Sequence, residues 1–395
     1  MFCNFEYPPL GGGGGVANAL LAEELSKRHD VTVLTSRGLG APAEAIENGV
    51  RVIRVPVFFR RQQAAANLLS MFAYLPMGSM VGRKLLGRES YDVINTHFVL
   101  PTGPVGDALA RYARIPHVVS VHGGDVYDPS KWTSPHRHAL LRFWIRRLLR
   151  RAACVVGQSR NTLENMRRYY APEIEGVRIP LGIKRPEIGT GSRAHYGFAQ
   201  DDVLLATVGR LVRRKAIDQL ITVMSGIGAD SVHLLILGTG PMEQSLREQA
   251  RDLGVKDQVH FLGYVEEREK FGILKISDVF VSTSQHEGFG LVFLEAMASG
   301  LPVICYDHGG QTDFLANGQT GYVLPLNDLA QFSQCCKKLI ADKSNREEMG
   351  RENTRRAEEL FIDRCAARYE TLFLEVIENQ KKQATENRAR SVARP

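Results

Sequence analysis

The sequence contains no C-x-x-C pair, and this absence excludes two classes of protein. Its six cysteines are spread along the chain, and the two closest, Cys335 and Cys336, are adjacent and rarely bridge. A disulfide framework and a cysteine-ligated zinc site are therefore not expected, and a reducing compartment fits. Met1 is followed by a strand-like run rather than by a signal-peptide pattern, so we expect a cytoplasmic protein.

Acidic residues are scarce in the first half of the chain. Residues 1–185 hold 25 lysines and arginines against 14 acidic residues, whereas residues 186–395 hold 25 and 29. The imbalance indicates either an anionic partner for the first half or a solvated basic surface. Because no nucleic-acid-binding module is recognisable, we do not expect nucleic acid as that partner.

Charge is absent altogether from residues 62–82, and residues 64–81 are largely apolar, a length at which a membrane span has to be considered. Polar and helix-breaking residues interrupt the stretch, namely Asn67, Ser70, Pro76, Gly78 and Ser79. We therefore predict a buried or surface-lying helix that ends near Pro76.

Residues 137–151 contain six arginines and no acidic residue, interleaved with leucines, Phe143 and Trp144. This pattern predicts a basic amphipathic helix. It either docks peripherally on an anionic membrane, together with the aromatic and basic segment 58–61, or is a core helix whose arginines extend to solvent.

Apolar strand-like runs alternate with helix-like stretches along the whole chain, and the alternation restarts at Val203. Short strands separated by helices predict βαβ units and parallel sheets. A chain of 395 residues suits two domains. We therefore predict an α/β protein of two Rossmann-like lobes. The first is placed at 1–183 and completed by a helix at about 361–380, the second at 184–360, with a flexible tail at 381–395.

Two motifs of the first half carry candidate chemistry. Five glycines, which include Gly14 and Gly15, precede a predicted helix, where free backbone N–H groups attract anions; the other interpretation is a mobile loop. His122 and Asp125 follow a predicted strand with two glycines between them. Since ligands of open α/β sheets bind at the carboxyl ends of strands, both side chains are candidates for the site, although a lone histidine is often structural.

Two motifs of the second half also follow strands. Gly209, Arg210 and Lys215 offer a guanidinium and an ammonium group to a diphosphate. Arg213 and Arg214 crowd the same loop, and the alternative that these are solvated surface charges stays open. Gly240 lies in a glycine turn that either contacts a base or ribose or is merely a tight connection.

The most specific pattern is Glu287-Gly-Phe-Gly-Leu-Val-Phe-Leu-Glu295. The first glutamate lies in a glycine turn and the second about one turn into the following helix, so both can line one pocket. Carboxylates accept hydrogen bonds from sugar hydroxyls, and the N–H groups of Gly290 and Leu291 suit phosphate. We include Phe289 in the predicted donor-binding set.

These residues together resemble the retaining glycosyltransferases of family 4, which have the GT-B architecture of two Rossmann-like lobes with a cleft between them. The match covers most of the chain. It starts at Pro8-Pro9-Leu10, includes the motifs above and Gly238-Thr-Gly240, and ends with Ala298-Ser-Gly-Leu-Pro302 and Gly309-Gly310.

The resemblance implies transfer of a hexose from a UDP- or GDP-sugar to a hydroxyl of a glycan or lipid-linked acceptor bound by the first lobe, in cell-surface polysaccharide or glycolipid synthesis. It implies that Arg210 and Lys215 hold the donor diphosphate, that Glu287 binds sugar hydroxyls, that Glu295 binds the ribose and that His122 lies near the transferred sugar. Because the family is metal-independent and the sequence has no D-x-D motif, no metal and no cofactor are expected.

Three positions depart from the family pattern: Ala216 replaces a glycine, Leu181 an asparagine and Asp313 a glutamate. Three other functions remain open from the sequence. A nicotinamide dehydrogenase would need an acidic residue after the second strand, and a glycan phosphorylase would need a pyridoxal-binding lysine that we cannot identify. A non-catalytic nucleotide-sugar or glycan-binding protein would not need all five polar residues of the predicted site, which are His122, Arg210, Lys215, Glu287 and Glu295.

Overall fold

A computed structural model describes residues 1–38, 40–57, 68–129, 131–187 and 191–392, with side chains except those of 68 and 387–392. The chain divides into two compact units. The N-lobe comprises Met1–Gly182 and the chain from Ile362 onward, and the C-lobe comprises Ile183–Phe361. The segment 58–61, assigned above to membrane docking, lies outside the described residues.

The N-lobe contains an eight-stranded sheet, counted over its described residues, in the order β3-β4-β2-β1-β5-β6-β7-β8. All neighbouring pairs are parallel except β3 with β4, which is antiparallel. The strands are β1 (Phe2–Asn4), β2 (Thr32–Ser36), β3 (Glu44–Glu47), β4 (Val50–Val55), β5 (Ile94–His97), β6 (His117–Val121), β7 (Cys154–Gly157) and β8 (Val177–Arg178).

Helices connect these strands, as the alternating pattern predicts. They are α1 (Gly13–Ser26), α2 (Leu68–Leu86), α3 (Thr102–Ala113), α4 (Ala139–Arg151) and α5 (Arg160–Tyr169). The prediction that a helix ends near Pro76 is wrong, because α2 continues through Pro76 for ten more residues. Within the described part of the chain, no helix is long and apolar enough to cross a membrane.

The C-lobe contains a parallel sheet of six strands, among those described, in the order β11-β10-β9-β12-β13-β14. The strands are β9 (Val203–Val208), β10 (Val232–Leu237), β11 (Val259–Gly263), β12 (Val279–Ser282), β13 (Val303–Tyr306) and β14 (Gly321–Leu324). Its helices are α6 (Ile217–Ile227), α7 (Glu243–Asp252), α8 (Glu267–Ile276), α9 (Leu291–Ala298), α10 (Leu329–Ala341) and α11 (Lys343–Ala357).

The last helix, α12 (Ile362–Val392), returns to the N-lobe and packs against α1. Its residues Tyr369 and Phe373 join a buried cluster with Val33 and Val118 of the sheet. The helix is longer than the one predicted at about 361–380 and includes most of the segment predicted to be a flexible tail.

Candidate active site

Chain topology determines where each lobe can bind a ligand. In the C-lobe, the chain passes from β9 to β10 and β11 on one side and then to β12 on the other, so the connections diverge between β9 and β12. Open parallel sheets bind ligands at such a switch point, beyond the carboxyl ends of the strands. Lys215 follows β9 and Glu287 follows β12, so both lie at this point.

Glu287 forms two ion pairs there. Its Oε1 lies 2.5 Å from the Lys215 Nζ, and its Oε2 lies 3.3 Å from the Arg214 Nη1. Burial by itself would raise the pKa of this carboxyl, but the charges of Lys215 and Arg214 outweigh burial and lower the pKa to about 2. At neutral pH Glu287 is therefore an anion that accepts hydrogen bonds and cannot donate a proton.

Arg214 is the arginine that the structure places against Glu287, and it also donates to the backbone carbonyl of His286. The alternative that Arg214 is only a surface charge is therefore set aside. Arg210, predicted to act with Lys215, lies exposed on the same loop. The short 3-10 turn Arg213–Lys215 ends at Ala216, whose φ of 46° is left-handed. Glycine tolerates this conformation without strain, which explains a preference for glycine at this position; nothing in the structure explains the alanine.

Glu295, on the first turns of α9, pairs with a residue that the sequence analysis missed. The Lys270 Nζ of α8 lies 2.8 Å from the Glu295 Oε1. Burial raises the pKa of Glu295, and the positive charge of Lys270 lowers it by a smaller amount. The second oxygen, Oε2, is buried and has no hydrogen-bond partner among the described residues. One carboxylate oxygen is thus held by lysine while the other can accept from a ligand.

The glycines of the C-lobe motifs have packing roles. A Cβ on Gly238 would lie 2.1 Å from the Gly209 carbonyl oxygen, and one on Gly240 would lie 2.4 Å from the Leu211 carbonyl oxygen. The loops after β9 and β10 are therefore in direct backbone contact. This contact accounts for the glycine at position 240 by tight packing of the connection. Gly209 also borders the site, because its Cβ would lie 3.0 Å from the Lys215 Cε.

The turn between the two glutamates ends at Gly290, which caps α9 with a φ of 89°. No side chain caps this helix, and the Phe293 N–H donates to the Gly290 carbonyl, so the N–H groups of Leu291 and Val292 are the ones placed for an anion. Phe289, predicted to bind the donor, is buried against Phe314 with ring centroids 5.1 Å apart. Its side chain fixes the turn and packs in the interior.

The N-lobe groups its predicted residues at its own switch point, between β1 and β5. The helix α1 begins within the glycine run, and a Cβ on Gly14 would lie 2.3 Å from the Phe98 Cζ. The Phe98 ring lies 4.5 Å from the His122 ring, centroid to centroid. Phe98 has a φ of 69°, a strained value for a bulky residue, which is typical of functional sites. A Cβ on Gly15 would lie 3.2 Å from two backbone oxygens, so this position packs closely as well.

Asp125 holds the loop that carries His122. Its two carboxylate oxygens accept from the backbone N–H of Val99 at 2.7 Å and of His122 at 2.8 Å. Burial raises the pKa of Asp125 to about 6 although these N–H groups lower it. This geometry gives Asp125 a role in positioning the loop, and its place at the acceptor or in the cleft stays a prediction.

The two halves of the chain match two glycosyltransferase families. Residues 12–182 match the glycosyl transferase 4-like domain, and residues 191–356 match glycosyl transferases group 1. The chain is also 32% identical over 343 residues to an uncharacterised glycosyltransferase of Methanocaldococcus jannaschii, which covers 82% of this chain and 84% of the relative. The chain belongs to the glycosyltransferases. It is therefore a transferase, and the dehydrogenase, phosphorylase and non-catalytic alternatives are set aside.

Two further relatives act on different substrates. The glycosyltransferase is 24% identical to the N-acetyl-alpha-D-glucosaminyl L-malate synthase of Bacillus anthracis, with 95% of this chain and 97% of the relative covered. It is 26% identical to a GDP-mannose-dependent alpha-(1-6)-phosphatidylinositol monomannoside mannosyltransferase of Mycolicibacterium smegmatis, with 87% and 90% covered.

Solved structures agree on the fold. Sucrose-phosphate synthase from Thermosynechococcus elongatus is similar with a TM-score of 0.82 at 21% identity, over 96% of this chain and 99% of that one. HepE of Anabaena in complex with UDP is similar with a TM-score of 0.75 at 19% identity, over 94% and 98%. The prediction of a GT-B fold with two parallel-sheet α/β lobes is thus confirmed.

Proposed function

We propose that this glycosyltransferase is a retaining enzyme of family 4 that transfers a hexose from a nucleotide diphosphate sugar, without a metal, to a hydroxyl of a glycan or lipid-linked acceptor. The observation that carries the proposal is the pair of glutamates at the C-lobe switch point, each held by a lysine. This arrangement supports a donor site at that point, and the UDP bound to the similar HepE structure is consistent with it.

The charges support a division of roles for the donor. Lys215 and Arg214, with Arg210 on the same loop, supply positive charge where the diphosphate leaves, and fixed charges in a dry site stabilise a developing anion more strongly than water does. The Glu287 anion accepts from sugar hydroxyls, and the unpartnered oxygen of Glu295 accepts from ribose hydroxyls.

The proposed reaction needs no basic side chain of the enzyme to take up the acceptor proton. The bond between the sugar anomeric carbon and the diphosphate oxygen breaks, and the acceptor oxygen bonds to the same carbon on the same face. The acceptor proton passes to the departing diphosphate. Since Glu287 is ionised at neutral pH, it stabilises positive charge on the sugar ring in the oxocarbenium-like transition state.

We also propose that the N-lobe docks on an anionic membrane through α4, where a lipid-linked acceptor would be presented. The α4 face that is turned away from Ile145, Leu148 and Leu149 exposes Leu140, Phe143 and Trp144, each at least half exposed. Arg142, Arg146 and Arg147 are exposed beside them and form no ion pair with any described residue. Apolar anchors within unpaired positive charge are typical of interfacial helices.

Incubation of the purified protein with UDP- and GDP-sugars tests the donor proposal. We expect one sugar nucleotide to release its nucleoside diphosphate, slowly with water and faster with an acceptor glycan, and proton NMR of the product to show the donor's anomeric configuration. The Glu287→Gln variant should lose at least about 100-fold in turnover with an unchanged circular dichroism spectrum. Full turnover in that variant, or an inverted product, would contradict the site or the stereochemistry.

A further inference from the structure

A network of hydrogen-bonded, buried polar side chains runs through the interior of the N-lobe and ends at His122. The Tyr369 hydroxyl of α12 donates to the Ser120 Oγ at 3.1 Å, and that hydroxyl donates to the Asn95 Oδ1 at 3.0 Å. The Asn95 Nδ2 lies 2.9 Å from the His97 Nε2, and the His97 Nδ1 lies 2.9 Å from the His122 Nε2. All five residues are at least 93% buried.

The hydrogen bonds of this network all run in one direction, from donor to acceptor, toward His122. Because the Asn95 Oδ1 accepts from Ser120, the Asn95 Nδ2 has to donate to the His97 Nε2. His97 then carries its proton on Nδ1 and donates it to the His122 Nε2. His122 in turn carries its own proton on Nδ1. Burial keeps both rings neutral, since it lowers the pKa of His97 well below its usual range and that of His122 to about 4.

The far side of His122 agrees with this direction. The Gln158 Nε2 donates to the His122 backbone carbonyl at 2.6 Å, so the Gln158 Oε1 can only accept. Both this oxygen and the His122 Nδ1 are buried and form no well-aligned hydrogen bond with described residues, although the Gln158 side chain lies close enough to the His122 ring to raise its pKa against the effect of burial. A buried N–H that forms no hydrogen bond is costly unless a ligand or water accepts from it.

We propose that His97 is a positioning residue that holds His122 as the Nδ1–H tautomer, with Asn95 setting the direction of the network. His122 then serves as a neutral hydrogen-bond donor to an oxygen of the bound sugar and cannot act as a base through Nε2, which His97 occupies. The ligand role of His122 rests on the proposed function, whereas the tautomer does not.

Nitrogen-15 NMR of the full-length protein labelled at histidine tests the tautomer directly. We expect His97 and His122 each to show a protonated Nδ1 and an unprotonated Nε2 at pH 7, with assignment by the signals lost in His97→Asn and His122→Gln. A protonated Nε2 on either ring, or a doubly protonated ring, would overturn the proposal. Turnover in such a protein would leave the transferase function standing.

Two variants of His97 separate positioning from packing. Asparagine keeps an N–H near the place of Nδ1, whereas leucine, of comparable size, has none. We expect His97→Leu to lower kcat about 10-fold below His97→Asn at similar melting temperatures. Equal kcat in the two variants would reduce His97 to a packing role.

Asn95→Asp reverses the direction with almost no change in shape, because a carboxylate only accepts. We expect the His97 proton to move to Nε2 and the NMR pattern of His122 to invert or to show a doubly protonated ring. An unchanged His122 pattern would show that Asn95 does not set the tautomer.

Discussion

The Lys270 ammonium holds one oxygen of the Glu295 carboxylate at 2.8 Å and leaves the other buried without a partner among the described residues. Lysine thus supplies a countercharge that opposes the effect of burial on the pKa of Glu295 and occupies only one of its two oxygens. The two side chains are 15% and 14% exposed, so solvent screens this pair only weakly.

The variant Lys270→Gln should impair nucleotide binding. Loss of the ammonium leaves Glu295 buried without countercharge, so its pKa, already raised by burial, should rise further, and its protonated form cannot accept ribose hydroxyls as well. We expect UDP or GDP binding, measured by calorimetry, to weaken about 10-fold and the free energy of unfolding to fall by about 3 kcal/mol.

Lys275 provides the control for this variant, since it lies exposed on the same helix, α8, and forms no ion pair with a described residue. Lys275→Gln removes the same charge and should change neither quantity measurably. Equal binding by Lys270→Gln and Lys275→Gln would separate Glu295 from the nucleotide site.

The sequence predicts the alternation of strands and helices well, because buried parallel strands are short apolar runs that end at glycine turns. It misses β3, an edge strand of sequence Glu-Ala-Ile-Glu, because this strand pairs on one side only and has two acidic residues. The predicted helix end near Pro76 is also wrong. Helix α2 contains Pro76, and residues 77–86 continue beyond it.

Site residues were predictable where a motif carries them and not where three-dimensional packing selects them. Glu287 and Lys215, both singled out from the sequence, follow strands at the switch point and form an ion pair there. The contact of Arg214 with Glu287 depends on the 3-10 turn before Ala216, which a pattern of basic residues does not encode. Lys270 lies on a separate helix with no motif around it, so only the coordinates bring it to Glu295.

Gly14 should be intolerant of a methyl group, unlike Gly12. A Cβ on Gly14 would lie 2.3 Å from the Phe98 Cζ, whereas one on Gly12 would have no neighbour within 4 Å. Overpacking costs about 2 kcal/mol and exceeds the gain of about 1 kcal/mol that alanine brings to a helix. We expect Gly14→Ala to lose about 1 kcal/mol of unfolding free energy and to lower kcat, because Phe98 must move against His122.

Gly12→Ala is the matched substitution and should leave kcat and stability close to those of the natural protein. Urea unfolding and turnover of the best donor measure both effects. If Gly14→Ala turns over as fast as Gly12→Ala, the Phe98 contact has no bearing on the site.

The pKa of Asp125 predicts a pH-dependent stability. Because burial raises this pKa from 3.8 to about 6, the folded state binds a proton that the unfolded state has lost between these values. The stability contribution of Asp125 is therefore full below about pH 4 and is lost as the pH rises through about 6. Asp125→Asn has no such titration, so its deficit in unfolding free energy should be larger at pH 4.5 than at pH 7.5.

Urea unfolding of both proteins at the two pH values gives the comparison. Asparagine can accept only one of the two backbone hydrogen bonds, from Val99 and His122, so we expect the variant to be less stable by about 1–2 kcal/mol at pH 4.5. A deficit that is constant with pH would mean that Asp125 does not titrate in this range.

The exposed face of α4 should bind anionic vesicles in a salt-dependent way. We expect the protein to sediment with phosphatidylglycerol vesicles at about 50 mM salt and not with phosphatidylcholine vesicles, since charges beyond a Debye length are screened as salt rises. Arg146→Gln with Arg147→Gln should weaken binding about 30-fold, at about 1 kcal/mol for each charge. Phe143→Ser with Trp144→Ser removes the apolar anchors and should weaken it at every salt concentration.

The control for charge is Lys337→Gln with Lys338→Gln on α10, where two exposed lysines give the same loss of net charge on the other lobe. If α4 is the docking surface, this variant binds vesicles like the natural protein, whereas a general electrostatic attraction would weaken both double variants equally. Vesicle-independent release of nucleoside diphosphate should stay unchanged in all these variants, because none of their side chains lies at the switch point of either sheet. Failure of the natural protein to bind phosphatidylglycerol at low salt would assign the α4 arginines to a solvated surface and would leave the transferase chemistry untouched.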